Sequence, residues 1–140
     1  MLYYAVFDTN VIVSALLTSH HDSPTAILLN MVMDGEIIPV FNDEILNEYK
    51  NVLSRKKFGF TADQVNHVIS ALATGINLRR THTDEIFPDP DDAVFYEVAL
   101  SKEEAYLVTG NLKHFPRVSK VVSPSEMLEI IYFGRIKNER

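Results

Sequence analysis

Cysteine is absent from this chain, and its absence removes two kinds of explanation at once. No disulfide can staple the fold, and no thiolate can hold a metal. A cytoplasmic home fits a thiol-free protein. Long hydrophobic runs are missing as well. Apolar residues make up 46% of the chain, yet no window approaches the roughly 18 consecutive apolar residues of a membrane span. The N-terminus lacks a basic segment followed by a long apolar stretch, so no signal peptide is expected. Positive charge is scarce: 13 Lys plus Arg face 19 Asp plus Glu, a formal net charge of −6. That argues against a protein that holds nucleic acid by bulk positive charge. Nucleic-acid chemistry at an acidic, cation-filled pocket stays open, because bound cations invert the local field. No repeat, linker or low-complexity segment interrupts the chain. Its 140 residues suit one domain, residues 1–140, with a real hydrophobic core.

What is present alternates between strand and helix signals. Tyr3 to Phe7 is apolar at every position, as in a strand buried on both faces, and it runs straight into Asp8. Val11 to Leu17 predicts a short helix or turn. Ser23-Pro24 opens a helix with an N-cap and a proline at its first position, and Asp34-Gly35 closes it. Glu36 to Phe41 reads as a second strand. Asn42 caps a helix in which Ile45, Leu46, Tyr49, Val52 and Leu53 recur at helical spacing. Thr61 and Gln64 form a capping box for a helix running to about Thr74. Residues 79–91 form a polar loop punctuated by Pro88 and Pro90. Asp91 or Asp92 starts another helix, Ala105 to Thr109 is a third strand, and Val118 to Val122 is a fourth. Ser123 and Glu126 make a second capping box, opening a last helix through Tyr132. The fold class expected is α/β: three layers, α/β/α, around a parallel sheet of about four to five strands.

The acids can be placed on that frame. Asp8 lies at the carboxyl end of the first strand, where ligand crevices of α/β sheets occur. Thr109, Gly110 and Asn111 leave the third strand at the same edge. Asp92 stands at a helix start. Glu48 falls on the border of the buried stripe of its helix, three residues after Ile45 and one before Tyr49. Acids converging from separate segments repel one another, which favours protonation or a bound hard cation. Oxygen ligands of this kind suit Mg²⁺ or Mn²⁺.

Asp8-Thr9-Asn10-Val11, Glu48, Asp89-Pro90-Asp91-Asp92 ahead of Ala93 to Leu100, and Leu107 to Asn111 occur in that order. Together they resemble the PIN domain family, and more specifically its toxin components from bacterial toxin–antitoxin systems. The resemblance runs from Tyr3 to about Ile131. It implies a metal-dependent endoribonuclease that hydrolyses single-stranded RNA with a cation-activated water. Asp8, Glu48 and Asp92 would be its catalytic, metal-binding acids, with Asn10 and Thr109 as polar supports around Asp8. It also implies an RNA substrate, a small antitoxin protein as partner, a homodimer, and no membrane. Many PIN domains carry a fourth aspartate after the Thr-Gly, where this chain has Asn111. An amide oxygen can bind a cation but brings no negative charge. Weaker occupancy of a second metal is therefore expected, with Asp89 or Asp91 in reach to compensate in part.

Structural readings compete at each position. Asp8 could be a turn or cap residue, and Glu48 a solvated helix residue. Asp92 could be an N-cap, with one oxygen capping its helix for about 1 kcal/mol and the other free to ligate. His20, His21, His67, His82 and His114 show no metal-ligand spacing, and of these His114 is expected to face the pocket. Lys113, Arg117 and Lys120 could meet a phosphate backbone. A catalytically silent PIN-fold binding module is the main functional alternative, and an aspartate-based phosphatase or receiver domain the other. Against the phosphatase stands Asn10, where a second aspartate would be needed. Against the receiver stands the lack of a lysine at a later strand end.

Overall fold

The apolar run near the N-terminus forms β1 (Tyr3–Phe7), and its neighbours in the sheet explain why it is apolar throughout. In the computed structural model, which describes residues 2–138, β1 pairs in parallel with β2 (Ile37–Phe41) on one side and β4 (Ala105–Val108) on the other. β3 (Ile76–Asn77) extends the sheet beyond β2, and β5 (Val121–Val122) extends it beyond β4. The order is β3-β2-β1-β4-β5, five parallel strands in all. Parallel strands need crossovers, and helices supply them. These are α1 (Thr9–Leu17), α2 (Pro24–Met33), α3 (Asp43–Leu53), α4 (Ala62–Ala73), α5 (Ala93–Leu100) and α6 (Pro124–Asn138). α2 packs on α1 and α6, while α3 packs on α4 and α5. The three-layer α/β/α class expected from the sequence is the one found.

The core is the sheet plus the helix faces turned to it. Phe7, Ile12, Leu28, Ile45, Phe95 and Leu107 are all at most 2% exposed. Side chains of this size stabilise the fold by about 1.5–3 kcal/mol each when fully buried. Local signals fix the helix ends. Ser23 Oγ accepts from the Ala26 N–H ahead of Pro24. At the other end of α2, Gly35 takes φ +79°. The Gly35 N–H then donates to Val32 O and the Glu36 N–H to Met31 O, the paired bonds of a Schellman stop. Both capping boxes form as expected, Thr61 with Gln64 and Ser123 with Glu126.

Three boundaries differ from the sequence expectation. β3 falls in the short stretch between the helix ending near Thr74 and the loop 79–91, to which the sequence assigns no element, because a two-residue strand carries no periodicity. Its one cue is Gly75, where a Cβ would sit 1.8 Å from Pro39 O, so only glycine lets this segment approach β2. The fourth sequence strand is shorter than expected, since the chain is still turning at Val118 and the Val121 N–H donates back to Val118 O at 3.0 Å. α6 runs on past Tyr132 to Asn138, as neither Gly134 nor the polar residues beyond it stop the helix. None of the helices among the described residues is long and apolar enough to cross a membrane.

Candidate active site

The carboxyl edge of the central strands is where the predicted acids meet. Asp8 is the first residue past β1. Its N–H still donates to Val108 O at 2.9 Å, which ties it to the end of β4. The residue is 7% exposed. It occupies the N-cap position of α1, yet its side chain makes no capping bond. The carboxylate turns instead to Thr109, whose Oγ1 donates to Asp8 Oδ2 at 2.8 Å. Burial pushes the Asp8 carboxyl above the usual range, and hydrogen bonds from Thr109 and Thr9 with the nearby His114 offset that only in part.

Glu48 is set by two anchors. Tyr49, fully buried in the next position, donates its hydroxyl to the Phe7 carbonyl and so pins α3 to the end of β1. Thr9 then donates its hydroxyl to Glu48 Oε2. Burial raises the Glu48 carboxyl, and the charges of Asp8, Asp91 and Asp89 raise it further against the opposing bond from Thr9. The half-buried border position expected from the helical spacing is the one observed. Thr9 has a part that sequence reasoning did not give it. The signal was its place between Asp8 and the helix, but nothing in the chain said which carboxylate its hydroxyl would meet.

Asp92 also stands at a helix N-cap without capping. Its backbone is already helical, at φ −76° and ψ −19°, which turns the side chain away from the first-turn N–H groups. The expectation that one of its oxygens caps α5 is therefore corrected. Asp89 does the capping of this segment, accepting from the Asp91 N–H at 3.0 Å at the start of the turn Pro90–Asp92. Asp92 Oδ2 faces His114 Nδ1 at 3.2 Å. Burial, with the charges of Asp8 and Asp89, pushes the Asp92 carboxyl up to about 6 even though His114 pulls the other way. Asp8 thus lies electrically between Glu48 and Asp92, raising both.

The remaining sequence candidates divide. Thr109 is completely buried and supports Asp8 as expected. Asn10 is exposed, and among the described residues no hydrogen bond joins its side chain to Asp8. Asn111 comes to the same edge. Its N–H donates to Thr109 Oγ1 at 3.0 Å, and its Nδ2 lies 3.1 Å from His114 Nε2. His114 faces the acids, as the sequence suggested. Asp89 and Asp91 are exposed, and Asp91 shares a cleft of about 200 Å³ with Glu44, Glu48, Arg80, Pro90 and Val94. Lys113 and Arg117 are exposed along a second cleft of about 270 Å³ floored by Leu112, Val118 and Val121. Lys120 does not face a substrate at all. Its ammonium donates to the carbonyls of Ala99, Lys102 and Ala105 at 2.7, 3.1 and 2.7 Å, closing the end of α5.

The loop before Asp92 is held by a pair that the sequence pattern did not reveal. Glu97 is 7% exposed inside α5. It receives the Arg80 guanidinium, with Nη2 to Oε1 at 2.6 Å, and the Thr83 N–H at 2.9 Å. Arg80 also reaches Glu44 at 3.1 Å. Burial works against the Glu97 charge, but the Thr83 N–H and Arg80 outweigh it and hold the carboxyl below its usual range.

Whether these acids fit a cation follows from their chemistry. All donors are oxygens, which suits a hard divalent ion, and each desolvated carboxylate gains from a positive neighbour. Among the described residues no three His, Asp or Glu side chains are disposed to enclose an ion by themselves. The donor set fits.

The sequence profile of the family described as PIN domain matches residues 4–113 of this chain. No curated protein and no solved structure matches it.

Proposed function

Because the chain belongs to the PIN domain family, whose fold is of the nuclease type, we propose that it is a metal-dependent endoribonuclease that cleaves single-stranded RNA. One observation carries this reading. Asp8 and Asp92 each occupy a helix N-cap position and neither caps its helix. The ordinary structural use of an acid at such a place is thereby missing, while each carboxyl is desolvated and raised by its surroundings.

Asp8, Glu48 and Asp92 are the residues that would hold Mg²⁺ or Mn²⁺. Bound there, the cation supplies positive charge for the phosphodiester oxygens and acidifies a water. The chain's own residues do the positioning. Thr109 fixes Oδ2 of Asp8 and Thr9 fixes Oε2 of Glu48, which leaves the other oxygen of each without a side-chain partner among the described residues. Water would be excluded on the sheet side by Phe7 and Val108, both at most 2% exposed. Lys113 and Arg117, exposed along the cleft that follows β4, would meet the RNA backbone, and each should contribute about one unit to the salt slope of binding. As a toxin component of a toxin–antitoxin pair, the protein would have a small antitoxin and a second copy of itself as partners.

The test is cleavage of single-stranded RNA with Mg²⁺ or Mn²⁺ and with chelator. Asp8→Asn should abolish cleavage while circular dichroism stays unchanged, and full activity in that variant would sink the reading. A second reading, a silent PIN module kept for protein contacts, is favoured by Asn111, which leaves the fourth corner without charge. Absence of both a Mn²⁺ thermal shift and RNA cleavage would select it.

A further inference from the structure

Asn111 stands where a fourth acid is expected, and its surroundings give it a different task. The residue is bonded toward two acids at once. Its backbone N–H donates to Thr109 Oγ1 at 3.0 Å, and that hydroxyl donates to Asp8 at 2.8 Å. Its side-chain Nδ2 faces His114 Nε2 at 3.1 Å, and His114 Nδ1 faces Asp92 Oδ2 at 3.2 Å. The donor and acceptor chemistry gives the second chain one direction. As placed, the Asn111 amide presents its nitrogen, a donor, to His114 Nε2, which accepts from it. The neutral imidazole then carries its single proton on Nδ1, which is the nitrogen aimed at the carboxylate.

We propose that Asn111 is a positioning residue that acts through His114: its amide fixes the imidazole in the Nδ1–H form, and the imidazole holds one oxygen of Asp92. This deepens the metal-site reading above and rests on it for its catalytic meaning. The amide suits the place where an acid would not. A carboxylate at Asn111 would present only acceptors to His114 Nε2, so the neutral imidazole could no longer receive a hydrogen bond there. Outer-shell partners of this sort orient ligand oxygens, and removing one weakens metal affinity by about 10–100-fold.

Two measurements test it. The first needs no metal. Long-range proton–nitrogen correlation spectra of the metal-free protein, recorded at alkaline pH, should show His114 protonated on Nδ1, with that preference weakened in Asn111→Ala. A wild-type His114 protonated on Nε2, or a tautomer unmoved by Asn111→Ala, overturns the proposal. The second is a double-mutant cycle on Mn²⁺ affinity. Asn111→Ala and His114→Ala should each weaken binding about 10–100-fold, and the double variant no more than either alone, since both break one chain. His114→Asn, which keeps an amide donor near the Nδ1 position, should recover most of the loss. If Asn111→Ala still weakens binding in the His114→Ala background, Asn111 is a ligand and the positioning role is wrong. A wild type that binds no Mn²⁺ defeats the metal-site reading, and the tautomer then decides the relay by itself.

Discussion

Thr109 donates its hydroxyl to Asp8 across 2.8 Å, joining residues 101 positions apart in a place where both are buried. The same oxygen accepts from the Asn111 N–H, so one hydroxyl couples the turn after β4 to the acid after β1. Thr109→Val keeps the shape and removes the bond. It should cost about 1.5–3 kcal/mol at neutral pH, the range for hydrogen bonds to charged groups. It should also raise the Asp8 carboxyl further, since the lost bond was lowering it. Chemical denaturation measures the first effect, and a shift of the activity profile toward higher pH measures the second. A variant as stable as the parent would contradict a stabilising role for the Thr109–Asp8 bond.

Metal-free protein should lose stability as pH rises through the acid range. Asp92 binds its proton more tightly folded, at about 6, than the ordinary value of 3.8. Between those values the folded state holds more protons than the unfolded one, so stability falls as pH increases and levels off above about 6. Asp8 and Glu48, both raised, act in the same direction. Thermal melts in chelator across that window are the check. Asp92→Asn should flatten the curve and raise the midpoint at neutral pH while removing cleavage, the pattern of a site that is stabilised by its cation. A melt that rises steadily through the window would contradict the assigned charges.

The central strands, the helices and the positions of Asp8, Glu48 and Asp92 on them were legible in the sequence because each rests on short-range signals. Apolar runs mark β1 and β2, the Thr61/Gln64 and Ser123/Glu126 boxes mark helix starts, and the spacing of Ile45 and Tyr49 places Glu48 at the stripe's border. What failed depends on side chains that meet only in the fold. Thr9 reaches a carboxylate 39 residues away, and no local pattern names that partner. Asp92 looked like a cap because of its place before Ala93, but the turn Pro90–Asp92 had already made its backbone helical and handed the capping to Asp89. Glu97 sits in an otherwise apolar helix face, and Arg80, its partner, lies 17 residues earlier in the chain, so no local pattern joins the two.

Arg80 and Glu97 predict a coupling between loop order and activity. Removing the guanidinium leaves Glu97, 7% exposed, with the Thr83 N–H as its remaining close partner among the described residues and His82 at 3.9 Å. Arg80→Met should cost about 1–3 kcal/mol, the penalty for a buried acceptor left short of partners. Because the loop from Arg80 carries Asp89, Asp91 and Asp92, cleavage should fall more than stability does. Glu97→Gln, which keeps an acceptor for Arg80, should retain more of both. The contribution has a pH limit of its own. Glu97 is held below its ordinary 4.5, so the pair stabilises above that value and is lost as pH falls through the lower folded value. Limited proteolysis of the loop, read beside activity, separates local loosening from global unfolding.

Lys120 separates structural from substrate-binding basic residues. Its three carbonyl partners belong to Ala99, Lys102 and Ala105, the end of α5 and the start of β4. A cation at a helix C-terminus satisfies carbonyls that the helix leaves unpaired and meets the negative end of its dipole. Burial lowers the ammonium's pKa, against the pull of Glu104 and Glu103, yet the carbonyl cage gives its protons partners. Lys120→Met should therefore destabilise the fold by about 1–3 kcal/mol and leave the salt dependence of RNA binding as it was. Lys113→Ala and Arg117→Ala should do the reverse, sparing stability and each reducing the salt slope by about one. Equilibrium denaturation and RNA titrations at several salt concentrations distinguish the two patterns. A reduced slope in Lys120→Met would return that lysine to the phosphate backbone.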